Sequence, residues 1–244
     1  DFGKLVVQSR MGRMKPFDTL SQEVLYKLSG KNTLLEMNPT QVLLGMLSHP
    51  TVWKKIPMIQ TKTPKLRTFL GLESHQKLAS FEDFFEGSRY KLETEVQKAL
   101  MLRPSERGTY ENDLIKVDER LSIAFMVYYG TLFKIFPLPN DANHTWLGLP
   151  EMFEKLQNDE GLLLQDQAER FIESVFTRQY EQASLHVKAF EDFALKYGSS
   201  IMPEAKHIEA ELFYNKAKFF ERLTPAYLIV GCVLLAMAFL QVFA

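Results

Sequence analysis

Apolar and polar positions along this chain recur with helical rather than strand periodicity. Leu114, Val117, Leu121, Ala124, Tyr128, Leu132 and Ile135 are spaced three or four apart, which predicts one continuous helix of about 20 residues with an apolar face. Ile172, Phe176, Tyr180, Ala183, Val187, Phe190, Ala194 and Tyr197 form a second such stripe, and Gly198 is placed to end it. Both stripes read as core. No run of alternating apolar and polar residues is long enough to require a strand.

The first hundred residues hold shorter apolar segments, each with its own start and stop signals. Asp18 is placed to cap a helix through Leu28, with Gly30 as its terminator, and Asn38-Pro39 opens another through Leu47. Thr63-Pro64 repeats the cap-plus-proline start, Ser80 with Asp83 resembles a capping box, and a further helix is expected over Tyr90–Leu102. Pro137–Pro150 is too rich in helix breakers to be other than a loop, and it carries His144 and Trp146, both expected exposed. Pro203 is expected to start a last helix, running through Ile208, Leu212 and Phe219.

Ala226–Ala244 contains no charged side chain. At about 1.5 Å per residue such a segment approaches the roughly 30 Å hydrocarbon thickness of a bilayer, so it reads as a transmembrane helix entered at Pro225. The expected architecture is all-α: an irregular multi-helix domain over residues 1–224, with short N-terminal and long C-terminal helices, followed by a transmembrane helix over 225–244. The N-terminus lacks the apolar core of a signal peptide, and the chain reads as an internal piece of a larger polypeptide. Lys216, Lys218 and Arg222 just before the span are a weak positive-inside signal for a cytoplasmic domain.

Composition narrows the classes. The 244 residues carry 29 Lys+Arg against 30 Asp+Glu, five His and one Cys, and 46% are hydrophobic. Disordered, collagen-like and disulfide-scaffold classes are excluded, and a net charge of −1 gives no global drive toward nucleic acid. The charge is uneven, since residues 1–67 hold 11 Lys+Arg and four Asp+Glu. This basic quarter reads as a solvated face, or as a contact for anionic headgroups or an anionic ligand. There is no phosphate-binding glycine loop, nucleophile elbow or HExxH, and no two His stand at helical ligand spacing. The sequence therefore predicts no catalytic residue and no metal site.

Several blocks of residues add a resemblance. They are Gly12–Leu20 (GRMKPFDTL), Gln41–Met46 (QVLLGM), Lys116–Arg120 (KVDER), Phe136–Asp141 (FPLPND) and Glu211–Lys216 (ELFYNK). In this order they resemble the extracytoplasmic connecting domain of fused ResB/CcsA-type (system II) cytochrome c biogenesis proteins. The resemblance implies a bacterial inner-membrane protein with this domain on the periplasmic side, against the weak charge signal. It also implies haem bound by the full-length protein, which acts as a cytochrome c haem lyase or synthetase joining haem vinyl groups to the thiols of a CxxCH motif. Its partners would be the membrane, apocytochrome c and other parts of the same membrane protein. The tryptophan-rich WWD segment of that family is absent, as only Trp53 and Trp146 are present, and no His of this chain matches a known axial ligand.

Within the signature, Arg13 and Lys15 have two readings. Either they pair with carboxylates such as Asp118 or Glu119, or they face outward and hold a haem propionate or an apocytochrome segment. Asp18, Asp118, Glu119 and Arg120 read as a structural signature. The role expected is a scaffold that positions apocytochrome or organises the haem site. The alternative is a membrane-anchored helical interaction module unrelated to haem.

Overall fold

The computed structural model describes residues 2–243, and it describes no side chains for residues 220–222, 242 and 243. Asp1, Ala244 at the end of the expected span, and the Arg222 side chain thus fall outside the described residues. The chain divides into two compact units, Asp1–Pro203 and Glu204–Ala244.

The first unit is predominantly helical, as the periodicity predicts, with short ribbons between the helices. Strands β1 (Val6–Gln8) and β2 (Met14–Pro16) pair antiparallel, with Val7 opposite Lys15. Gly12, at φ 81°, turns the chain between them. Helix α1 (Phe17–Ser29) follows directly and stops at Gly30, whose φ of 69° gives the left-handed cap. Asp18 is not the cap: Pro16 occupies that position, and Asp18 sits in the first helical turn, accepting hydrogen bonds from Gln22 Nε2 and Thr40 Oγ1. Helix α2 (Pro39–Ser48) has the expected start, with Asn38 and Gln41 exchanging both bonds of a capping box.

Helix α3 (Pro50–Trp53), strand β3 (Ile59–Gln60), helix α4 (Pro64–Phe69) and strand β4 (Leu78–Ala79) come next, with β3 pairing β4. Thr63 occupies the N-cap position of α4 with Pro64 next, as expected, but its side chain makes no capping bond. Its hydroxyl and amide both donate to buried Asp113 Oδ2, at 2.8 and 2.7 Å. Ser80 and Asp83 do exchange reciprocal bonds, around a single 3-10 turn. The ribbon β5 (Phe85–Glu86) and β6 (Arg89–Tyr90) leads to α5 (Glu93–Met101).

Helix α6 (Thr109–Tyr128) covers most of the first apolar stripe but ends earlier than expected. Gly130, at φ 71°, reverses the chain, so Leu132 and Ile135 reach the core from the following loop. Strands β7 (Phe136–Pro137) and β8 (Trp146–Leu147) pair across the proline-rich loop, and α7 (Leu149–Lys155) follows. These ribbons are the departure from a strand-free expectation. Each is only two or three residues long, too short for alternation to register in sequence.

The second stripe is two helices rather than one. Helix α8 (Asp159–Phe176) ends where Arg178 takes φ 61°, and α9 (Tyr180–Gly198) begins after it. Arg178 N–H donates to Val175 O and Gln179 N–H to Ser174 O. This is the bond pair of a Schellman motif, with Arg in the position glycine usually fills. Glu160 near the start of α8 bonds Lys196 and Tyr197 near the end of α9, which closes the pair as an antiparallel hairpin.

One chain of aromatic contacts runs through the core. Phe133 meets Phe17 (5.0 Å between ring centroids), Phe17 meets Phe2 (4.7 Å), and Phe2 stacks on Phe171 (4.9 Å). Phe171 meets Phe190, and Phe190 meets Phe136. Large rings burying this much surface supply much of the hydrophobic stabilisation.

The second unit holds α10 (Ala205–Ala217) and α11 (Phe219–Phe243), separated by Lys218 in a left-handed conformation, so the expected single last helix is broken there. Leu223–Gln241 within α11 is long and apolar enough to cross a membrane, and none of it is buried. Large apolar side chains such as Leu228, Leu234 and Leu240 are exposed along its length. A face like this on every side suits lipid rather than water. Cys232 is the free thiol in that segment.

Candidate functional site

A groove of about 980 Å³ lies along α6 in the first unit. Ile115, Asp118, Glu119, Ser122, Phe125 and Met126 line it from successive turns of that helix, at the three- and four-residue spacing that puts side chains on one face. This is a different face from the buried one carrying Leu114, Val117, Ala124 and Tyr128. Phe81, Phe85 and Tyr90 form an aromatic wall, and Leu20 and Leu121 contribute to the floor. Phe81 stacks on Phe85 at 5.1 Å and meets Tyr128 edge-on at 5.3 Å. Arg10 comes from the turn after β1, and Lys134 from the loop after α6.

Polar groups in the groove are anchored by specific bonds. Tyr90 Oη donates to Asp118 Oδ1 at 3.0 Å. Burial, then the adjacent Asp118 charge and that hydrogen bond, push the Tyr90 phenol well above its ordinary value, so it stays a neutral donor. Glu119 pairs with Lys27 at 2.8 Å, both half-exposed. Glu151 Oε2 accepts from Gly148 N–H at the start of α7. Phe125 stacks on Tyr129 at 4.2 Å and remains 49% exposed, leaving an aromatic face at the rim.

The expected signature residues separate into different environments. Lys15 is 5% exposed and pairs with Glu23 on α1, not with Asp118 or Glu119. Its position opposite Val7 turns the side chain inward, where only a charge partner makes burial tolerable. Arg13 is exposed beside the β1–β2 turn. Arg120 is 6% exposed and ties α6 to two other segments by three bonds: Nε donates to Lys27 O (2.9 Å), Nη1 to Gln60 O (3.0 Å) and Nη2 to Gln60 Oε1 (3.4 Å). Burial lowers its pKa, partly offset by the Asp113 and Glu119 charges.

His144 is exposed, at φ 51°, with Nδ1 3.4 Å from Ser200 Oγ. Trp146 is 1% exposed, which corrects the expectation of an exposed indole. Its ring packs on α9 so closely that a Cβ at Gly198 would stand 2.4 Å from Trp146 Cζ2. Gly198 thus makes room for the indole; it is the last helical residue, and Ser199 rather than Gly198 occupies the C-cap. Gln8 holds the same loop: Nε2 donates to His144 O and Oε1 accepts from Trp146 N–H.

Of the candidate site and signature residues Arg13, Lys15, Asp18, Asp118, Glu119, Arg120, His144 and Trp146, the groove collects Asp118 and Glu119. Gln8, Arg10, Phe81, Phe85, Tyr90 and Phe125 were missed. The aromatic pairs four apart, Phe81 with Phe85 and Phe125 with Tyr129, were the available signal. The groove lining contains no His and no Cys. Among the described residues no cluster of three or more His, Cys, Asp or Glu is arranged to hold a metal ion. A resident haem with imidazole or thiolate ligation does not fit these residues.

No family model matches the chain. A curated relative does: Protein NrfI of Wolinella succinogenes is 46% identical over 239 residues. The match covers 98% of this chain and 26% of the relative, so the chain spans about a quarter of the length of the protein it matches. This corrects the resemblance drawn from the sequence blocks. The likeness along almost the whole chain is to Protein NrfI, and the assignment to a fused ResB/CcsA connecting domain is withdrawn.

Proposed function

We propose that this chain serves in cytochrome c maturation as a membrane-tethered helical unit that positions the apocytochrome. The observation that carries the reading is the near end-to-end likeness to Protein NrfI. The apolar segment Leu223–Gln241 supports a membrane anchor, with the helical domain that precedes it outside the bilayer. Haem, in this reading, is held by other parts of the assembled protein, because the groove offers it neither an imidazole nor a thiolate. The chain's own contribution is then binding and orientation rather than bond-making. Apocytochrome c and the rest of the membrane protein are its partners.

The test is removal of residues 1–224 from the full-length protein in its native host, followed by in-gel haem staining of c-type cytochromes. The expected outcome is loss of holocytochrome c, with normal levels of apoprotein. Undiminished holocytochrome c sinks the reading.

A further inference from the structure

The chain holds seven asparagines, and Asn143 alone among them stands in an Asn-X-Thr or Asn-X-Ser triplet whose middle residue is not proline. Asn143-His144-Thr145 is the acceptor pattern for N-linked sugar, which recurs by chance in many chains and is usable only on an exposed loop. Asn38-Pro39-Thr40 shows the contrast. Proline bars its middle position, and the Asn38 side chain is already engaged in the capping box of α2.

Asn143 meets the structural requirement. It lies in the loop that joins β7 to β8, where Leu138 N–H donates to Thr145 O and His144 N–H to Asp141 O. Ala142, Asn143 and His144 are consecutive exposed residues. The Asp141 carboxylate gathers this end of the loop. Thr145 N–H donates to its Oδ2 at 2.9 Å, and the Thr145 hydroxyl and Asn143 N–H bond to the same carboxylate. The chain therefore bends round Asp141 and leaves the Asn143 side chain to solvent. Among the described residues the Asn143 carboxamide makes no hydrogen bond to protein.

The triplet is also separable from the core. Trp146 follows it directly at 1% exposure and seats the base of the loop. The hydroxyl that a sugar-transferring enzyme must read is the one Asp141 holds, so the triplet becomes readable when the bonds around that carboxylate open. All of them lie within residues 141–145, so they can open locally while Trp146 stays buried.

We infer that Asn143 is an acceptor for N-linked glycosylation by a membrane oligosaccharyltransferase that draws on a lipid diphosphate-linked oligosaccharide. Asn143 Nδ2 bonds to the anomeric carbon of the sugar as that carbon's bond to the diphosphate oxygen breaks. The lipid diphosphate leaves with the electron pair, and the amide gives up one proton to a base of the transferase. Nothing is oxidised or reduced. Such transfer takes place outside the cytoplasm, so the inference includes an extracytoplasmic location for the first unit. It does not depend on what that unit does for cytochromes.

The experiment takes the full-length protein from membranes of its native host and digests it with trypsin. Cleavage after Lys134 and Lys155 releases Ile135–Lys155, which contains Asn143. Mass spectrometry should find this peptide carrying an oligosaccharide on Asn143, with sugar fragment ions on dissociation. The modification should vanish in Asn143→Gln and in the near-isosteric Thr145→Val, and survive in Thr145→Ser, which keeps the hydroxyl. Asn143→Cys, treated with a membrane-impermeant maleimide in spheroplasts, reads the side of the membrane at the same position, and should be labelled above the parent protein.

A wholly unmodified Ile135–Lys155 peptide overturns the inference. So does a glycan that persists in Asn143→Gln, or labelling of the Asn143→Cys variant only after lysis. These failures are distinct from failure of the proposed function. If holocytochrome c needs residues 1–224 while Asn143 is unmodified, the function stands and this inference falls. If Asn143 is glycosylated in a domain whose removal costs no holocytochrome c, the reverse holds.

Discussion

Replacing Arg120 by alanine tests whether this signature residue is architectural. The guanidinium is 6% exposed and its donors close on two backbone carbonyls and one amide oxygen. Lys27 O belongs to the last turn of α1, where carbonyls lack intrahelical partners. Gln60 O belongs to β3, whose pairing with β4 spans only two residues. Truncation leaves both carbonyls without a donor in a site too enclosed for free hydration, at about 1–3 kcal/mol each. Loss of the buried charge returns part of this through relief of its desolvation, so the net destabilisation is about 3 kcal/mol. For a unit of this size that corresponds to a fall in Tm of roughly 6–12 °C. The assay is thermal unfolding followed by near-UV circular dichroism, with Arg120→Lys as an intermediate case that keeps charge but loses the fork. A shift under about 2 °C would refute the clamp, and loss of holocytochrome c at unchanged Tm would move Arg120 from architecture to function.

Three further outcomes follow from named contacts. Gly198→Ala should destabilise by about 1–2 kcal/mol, because the steric cost against Trp146 exceeds the roughly 1 kcal/mol gained in helix propensity; red-shifted tryptophan emission is the check, and an unshifted, stabilised variant contradicts the packing. Tyr90 has a raised pKa, so its neutral form contributes stability below the ordinary phenol value of 10.0 that is lost as pH rises through the elevated folded value. Burial raises Tyr128 as well, so absorbance titration at alkaline pH should show at least two phenols that ionise only as the fold opens, and Tyr90→Phe should lower their number by one. Asp141 is lowered chiefly by the side-chain and backbone hydrogen bonds of Thr145. Its contribution is complete above the ordinary value of 3.8 and fades as pH falls through the depressed folded value, so the 137–150 loop should loosen only in strong acid, a loss that Asp141→Asn would produce at neutral pH.

Much of the fold was legible because most of its elements announce themselves locally. The Asn38-Pro39 start, the Gly30 stop and the apolar periodicity of α6 and α9 all appear where the residues place them. The misread boundaries have one physical cause. Arg178 and Lys218 adopt left-handed conformations that sequence reading reserves for glycine, so one expected helix became the α8–α9 hairpin and another the α10–α11 break. The local bonds to Val175 O and Ser174 O hold Arg178 there at a conformational cost that propensity alone does not anticipate. The groove was harder to see, because it gathers residues from the β1–β2 turn, the β5–β6 ribbon and α6, brought together only by folding. Lys15 shows the opposite error. Its charge suggested a surface role, whereas the pleat of β2 and the partner Glu23 put it inside.

The shortness of the ribbons has a consequence for any client. Every strand among the described residues is two or three residues long, so no edge offers the run of unpaired amides and carbonyls that strand addition requires. A polypeptide captured here would be gripped by its side chains alone. Such a grip reads composition more than register, and it can let go one contact at a time without unzipping a ladder, as suits a handler that must pass its cargo on.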